Sequence, residues 1–367
     1  MTSVTAPPAT PGHGPRRAPP RRRWPDRVGY AAAAWAAVYG VVALIWTLTG
    51  DGFPFGRNHP DGDLGMLRNL PAELSAPLFA AVLLATAVGA LAMAGPHAVR
   101  LRGPSRRLVL ASGWVVAAAL LVVVPDVRLL AVAGYAPMLL LGAPFGWPPV
   151  DYAEVFTWPL VNQAFCVAGG FLVARTVLAW QFRTGGACVA CGRGETTTSL
   201  ATPAAAARWG RWAVAVAAAV PLLYAATRLA WLAGIPLGIS EEFLRELRDS
   251  GAVWAGAGLG TFAVVGAVLT LGLVRRWGEV FPRWMIGLAG RRVPVMLAVV
   301  PASLVAVLVT SASLSLLTSG RFLSLVGTGG LAAAPMLLWP LWGLALGAAT
   351  VAYYLRRRGR CARCGRR

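Results

Sequence analysis

Residues 158–193 read WPLVNQAFCVAGGFLVARTVLAWQFRTGGACVACGR, and residues 339–366 read WPLWGLALGAATVAYYLRRRGRCARCGR. Each stretch opens on Trp-Pro-Leu, runs through an apolar segment, gathers arginines and closes on Cys-x-x-Cys-Gly-Arg. A predominantly apolar run of about 20 residues is what an α-helix needs to cross a hydrocarbon core. The chain therefore sets a cysteine pair just past a membrane span, twice. Cys188, Cys191, Cys361 and Cys364 are four of its five cysteines.

Composition extends this reading to the whole chain. Of 367 residues, 57% are hydrophobic and only 13% charged, with a mean hydropathy of +0.62, which is the range of polytopic membrane proteins. All 34 basic residues are arginine. Without lysine there is neither a Walker A phosphate loop nor Schiff-base chemistry. A net charge of +20 raises nucleic-acid binding, but the arginines stand in short blocks beside apolar spans. That pattern fits membrane topology and a bilayer with anionic headgroups, and no nucleic acid is expected as a partner.

Eight spans are expected, at about 28–49, 74–95, 108–125, 155–181, 211–234, 251–275, 293–317 and 333–355. Residues 1–27 carry seven prolines and six arginines without an apolar core, so they read as a disordered basic tail and not as a signal peptide. Segment 126–147 is apolar enough to resemble a ninth span. Counting it would move the arginines of the 181–211 loop to the other side, and Gly134, Pro137, Gly142 and Pro144 oppose a straight helix; it is taken as an outer-leaflet or re-entrant segment. Arginine blocks at the N-terminal tail, at 100–107, 183–211, 275–292 and 356–367 place both termini in the cytoplasm of a cell-membrane protein. Eleven of the fourteen acids fall in the opposite loops.

The two halves match in order. Tyr39 and Trp46 are spaced like Tyr224 and Trp231, and Gly/Pro turns follow at 53–56 and 235–238. Val-Gly-Ala recurs at 88–90 and 265–267, double arginines at 106–107 and 291–292, and a shared pattern at 128–134 and 321–327. Trp-Pro-Leu and the cysteine knuckles close each half. The expected fold is an all-α integral membrane protein of eight transmembrane helices. They form two tandem four-helix repeats of the same orientation, with paired cytoplasmic Cys-x-x-Cys knuckles. Four spans per repeat is even, which excludes an inverted-repeat arrangement. The divisions are a tail at 1–27, a first repeat at 28–194, a linker at 195–210 and a second repeat at 211–367.

Two Cys-x-x-Cys pairs supply the four thiolates of a tetrahedral zinc site, and Gly192 and Gly365 follow them as such turns require. One structural Zn2+ on Cys188, Cys191, Cys361 and Cys364 is the leading expectation. A site shared between two chains, a redox dithiol pair and inert duplicated cysteines are the alternatives. Cys166 is read as a small packing residue.

No Asp, Glu or His lies near mid-membrane, so a carboxylate or histidine relay is absent there. Arg228 and Arg175 are the charged residues inside spans, and both can snorkel to an interface. Arg228, Asn162 and Gln163 are the candidate ligand-binding residues, against a reading of Asn162 and Gln163 as interhelical packing. Gly256 and Gly260 read as helix packing. Asn58, His59, Asp61 and Asp63 form a solvated turn that lacks the remaining calcium-loop ligands. Residues 240–249 form a short amphipathic helix with Ser240 as N-cap.

The Tyr-x6-Trp spans with Gly/Pro turns, within four-span units covering 28–181 and 211–355, resemble small membrane domains of unknown function in high-GC actinobacteria. The resemblance implies no activity. The leading expectation is a non-enzymatic structural, assembly or regulatory membrane component. A transporter of a small or hydrophobic solute is second, and a membrane thiol oxidoreductase using the Cys-x-x-Cys pairs is third.

Overall fold

The structure is a computed structural model and describes residues 24–57, 64–95, 101–146, 151–194, 199–319 and 330–366. Apolar side chains recur around the whole circumference of most helices, as expected for segments buried in protein on one side and lipid on the other. The helices are α1 (Trp24–Thr49), α2 (Ala72–Ala94), α3 (Gly103–Ala118), α4 (Val127–Gly142), α5 (Tyr152–Val155), α6 (Trp158–Thr184), α7 (Pro203–Leu232), α8 (Glu241–Asp249), α9 (Ala252–Gly272), α10 (Val295–Thr318) and α11 (Trp339–Arg357). Among the described residues eight helices are long and apolar enough to cross a membrane, or nine if a bent pair at 127–145 is counted as one. The protein is thus a multi-pass helical membrane protein.

The boundaries follow local chemistry. Pro159 and Pro340 sit in the first turns of α6 and α11, where a missing N–H costs nothing. α7 starts at Pro203, eight residues before the span expected at 211. Thr202 caps it, its hydroxyl accepting from the Ala205 N–H at 3.3 Å. Arg208 and Arg211 interrupt the hydropathy there and hid the first two turns. Of segment 126–147 the structure shows residues 127–145 as helical but bent by 45° between Val127–Ala136 and Met138–Phe145, with Pro137 at the break. Ser240 caps α8 through the Phe243 N–H, and Leu244 of α8 buries against Trp231 and Val253. The 58–63 turn and the 321–327 pattern lie outside the described residues, as do residues 1–23 of the expected tail.

Within the first half α1 packs on α2 and α6, and α3 packs on α6; within the second half α7 packs on α9 and α11, and α10 packs on α11. Tyr39 lies at the centre of the first core, with Trp35, Trp46, Phe79 and Phe165 ring centroids 5.5 to 5.8 Å away. A Cβ at Gly169 would overlap the Trp35 indole, so α6 can approach α1 only with glycine at that position. On α9 a Cβ at Gly260 would come within 3.1 Å of the Arg228 Cβ, which places the Gly256/Gly260 pair on the α7 contact.

The halves meet through α10. The end of α3 loosens into a π-turn, Ala119–Val123, before Pro125 stops it. That leaves carbonyls without helical partners, an expensive state in apolar surroundings. Ser311 of α10, fully buried, donates to the Val122 carbonyl at 2.8 Å and lies 2.5 Å from that of Pro125. Ser315, one turn on, reaches the Leu64 carbonyl. α10 also packs on α4.

A buried carboxylate sits at this junction. Asp126 caps α4 through the Arg128 N–H, pairs with the Arg128 guanidinium at 2.6 Å and receives the Gln163 amide at 2.8 Å. The Gln163 carbonyl in turn accepts the Asp126 N–H at 3.2 Å. Gln163→Leu leaves both groups short of a partner. It is expected to lower unfolding stability in micelles by about 1–2 kcal/mol, measured by denaturant titration, with Val161→Leu on the exposed face of α6 as the near-neutral control.

Candidate metal centre

Two short turns build the cysteine cluster. After α6, Cys188 N–H bonds to the Arg193 carbonyl at 3.0 Å and Gly192 N–H bonds to the Cys188 carbonyl at 2.7 Å. After α11 the same two bonds recur, Cys361 to Arg366 at 3.0 Å and Gly365 to Cys361 at 2.8 Å. Gly192 and Gly365 hold φ of 71° and 72°, the left-handed conformation that glycine adopts without a Cβ penalty. At Gly192 a Cβ would also meet the Phe182 ring at 2.6 Å. Each turn thereby presents its two thiols to the same side.

The four sulfurs lie within 4.8 Å of one another, although the knuckles are 173 residues apart. Cys188 Sγ is 4.0 Å from Cys361 Sγ, and Cys191 Sγ is 3.6 Å from Cys364 Sγ. A disulfide requires about 2.05 Å, and all five cysteines are free thiols. Four ligands at about 2.3 Å from a tetrahedral ion would be about 3.8 Å apart. The cluster therefore has the donor set and spacing that could hold a thiophilic metal ion.

Reciprocal arginine contacts hold the two knuckles together. Arg193, at the end of the first knuckle and only 8% exposed, donates to the carbonyls of Arg358, Gly359 and Arg366 at 3.0 to 3.1 Å. Arg358, ahead of the second knuckle, donates to the Cys191 carbonyl at 2.8 Å. From α6, Arg175 reaches out to the Val189 carbonyl at 3.0 Å, inside the first Cys-x-x-Cys. Among the described residues neither Arg193 nor Arg358 meets a carboxylate. Such guanidinium groups, bonded only to carbonyls, suit the net negative charge of a metal tetrathiolate. Burial pulls the Arg358 guanidinium below its usual range, and the Arg193 charge adds to this.

The thiols themselves are divided. Burial raises Cys191, the Arg193 N–H opposes this, and shared bonds with Cys364, Cys361 and Cys188 add to the rise, leaving it at about 12. Burial also acts upward on Cys361. There the N–H groups of Cys364 and Arg363, with bonds from the Cys191 and Cys364 thiols, outweigh it and bring the group down to about 6.

The other expected site residues are placed apart. Asn162 accepts the Tyr39 hydroxyl at 2.7 Å and donates to the Trp158 carbonyl at 2.8 Å; Gln163 is engaged with Asp126. Arg228 lies on α7, with its guanidinium 4.7 Å from the Tyr224 centroid and 4.1 Å from that of Trp231. Asn162 and Gln163 thus spend polar groups on the protein, while Arg228 lies against two aromatic rings. Cys166 is fully buried with its sulfur 3.9 Å from the Tyr39 hydroxyl. Sequence reasoning treated Arg193 and Arg358 as general positive charge and missed their contacts. Bonds to backbone carbonyls leave no pairing pattern in a sequence.

Comparison with protein-family models, curated proteins and solved structures finds no match for this chain.

Two outcomes follow from the geometry. Arg193→Gln removes a charge and up to three bonds beside the thiols, and should weaken metal binding by about 10- to 100-fold in competition with a chromophoric chelator. A metal bound by the four thiolates would displace the Cys191 proton, so binding at pH 7 should release protons, and affinity should fall as pH is lowered, more steeply through the range where Cys361 protonates. A titration in two buffers of different ionisation enthalpy counts those protons.

Proposed function

We propose that Cys188, Cys191, Cys361 and Cys364 hold one structural Zn2+, and that the protein is a non-enzymatic structural, assembly or regulatory component of the cell membrane. The observation that carries this reading is the convergence of four thiols from two knuckles of like geometry. Zinc is the favoured ion because it takes four thiolates tetrahedrally and has no redox chemistry of its own. When bound, it supplies a cross-link between the segment after α6 and the segment after α11. Arg193 and Arg358 orient that link and offset its charge.

In this reading the halves are tandem repeats of one orientation, with the knuckles on the cytoplasmic side. Three things support it: the ordered sequence matches, the arginine distribution, and helix packing of the same pattern in each half. The first span packs on the second and fourth, and the third packs on the fourth, for both α1, α2, α3 and α6 and α7, α9, α10 and α11. The Tyr-x6-Trp spans serve different ends in the two halves. Tyr39 and Trp46 touch directly, whereas Arg228 lies against both Tyr224 and Trp231.

Full-length protein purified without chelator should carry about one zinc per chain, and Cys188→Ser and Cys361→Ser should each lose it. Elemental analysis beside thiol counting separates the alternatives. Metal-free protein whose Cys-x-x-Cys pairs cycle through a disulfide would replace the clip with the oxidoreductase reading. Zinc at one ion per two chains would move the site between protomers. A reporter fused after residue 366 that is active only outside the cytoplasm would overturn the orientation.

A further inference from the structure

The loop from α9 to α10 is held by a backbone bridge and by side chains of α11. Val280 and Arg292 form an antiparallel bridge, extended by Phe281 N–H to the Arg291 carbonyl at 2.9 Å and Val293 N–H to the Glu279 carbonyl at 2.9 Å. The end of α11 ties this small hairpin down. Tyr353 donates to the Gly278 carbonyl at 2.8 Å, Arg357 to that of Val293 at 2.9 Å, and Arg356 pairs with Glu279 at 3.2 Å. Trp277 folds back over Gly272, where a Cβ would come within 2.6 Å of the ring.

Beneath the hairpin, α9 and α10 stand apart. α9 packs on α7 and α10 packs on α11, which leaves an apolar slot of about 870 Å³ between them. Leu269 of α9 and Leu273 just past it, Leu297 and Val305 of α10, and Trp342 and Leu346 of α11 line its walls, and among the described residues no carboxylate or guanidinium lines it. Helix rise makes the lining stretch of α10 from Leu297 to Val305 roughly 12 Å, within the depth of one leaflet's hydrocarbon in a core of about 30 Å. At the loop end, Trp277, Trp284 and Val293 line the slot. Each is the chain neighbour of an exposed arginine: Arg276, Arg283 and Arg292. None of these three meets a carboxylate among the described residues.

From this we infer that the slot is a binding site for one anionic phospholipid, an acyl chain lying between α9 and α10 and the phosphate meeting Arg276, Arg283 and Arg292. Charge complementarity selects this occupant: the walls are apolar, the loop that closes the slot carries exposed arginines, and Glu279, the loop's own acid, is already taken by Arg356 and Arg357. Aromatic rims at headgroup depth, here Trp277 and Trp284, suit the same boundary. The site rests on the membrane reading above and on the arginine-rich face, and is independent of the metal.

The test uses delipidated full-length protein in a neutral detergent micelle, titrated with phosphatidylglycerol or phosphatidylcholine and followed by native mass spectrometry. Phosphatidylglycerol should bind as a single adduct about tenfold more tightly than phosphatidylcholine. Arg276→Gln with Arg292→Gln should erase that preference, and Ala302→Trp, which fills the slot, should weaken both lipids. Arg102→Gln with Arg107→Gln, on α3 and the loop before it, should change nothing. Equal wild-type affinity for the two lipids overturns the site, as does an equal loss in the α3 control, which would mean diffuse surface charge. Zinc content of the same samples reports on the clip separately. A chain that stays monodisperse without detergent would overturn the membrane reading itself.

Discussion

Every helix in an apolar medium must find partners for the carbonyls its last turn leaves free, and at several helix ends and turns of this chain arginine donates to such carbonyls. Arg183 donates to the Met93 carbonyl at the end of α2, and Arg106 to the Gln181 carbonyl at the end of α6. Arg356 donates to the Leu273 carbonyl just past α9, and Arg358 to that of Cys191. The guanidinium fork suits the task because it offers several donors in a fixed plane and remains charged when partly buried. The arginine blocks that read as topology signals are also the mortar of one face of the bundle.

The same rule accounts for the two places where the halves join. At one, a π-turn and a proline free carbonyls that serines of α10 satisfy. At the other, two knuckles whose backbones turn too tightly to satisfy themselves exchange arginines. The cysteine cluster is therefore not an appendage. Arg175, Arg193 and Arg358 bond it to α6 and to the end of α11.

The spans were legible because hydropathy over about 20 residues is a strong signal. The start of α7 was not, since Arg208 and Arg211 broke the apolar run over a stretch whose Ala content and Thr-Pro cap already favoured helix. Segment 126–147 announced its bend through Pro137. The nearness of the cysteines could be argued only from the ordered matches between halves, because a separation of 173 residues carries no local information. Asp126 was counted as an outer-loop acid, and nothing in its neighbours revealed that Gln163 would bury it. Arg228 read as a snorkelling side chain. Its spacing to Tyr224 and Trp231, four back and three on, does place all three on one helical face, so the aromatic contact was there to be found.

The nearness of the two knuckles, one after α6 and one after α11, has a consequence for biogenesis. The knuckles can meet only if an even number of crossings separates them. A chain that skips one span, or inserts one backwards, leaves its cysteine pairs facing different compartments with the bilayer between. Closure of the cluster would then act as a parity check on insertion, passed by correctly threaded chains and failed by those with a single topological error. Chains that fail would display unpaired thiols and unsatisfied arginines, a mark by which quality control could recognise them.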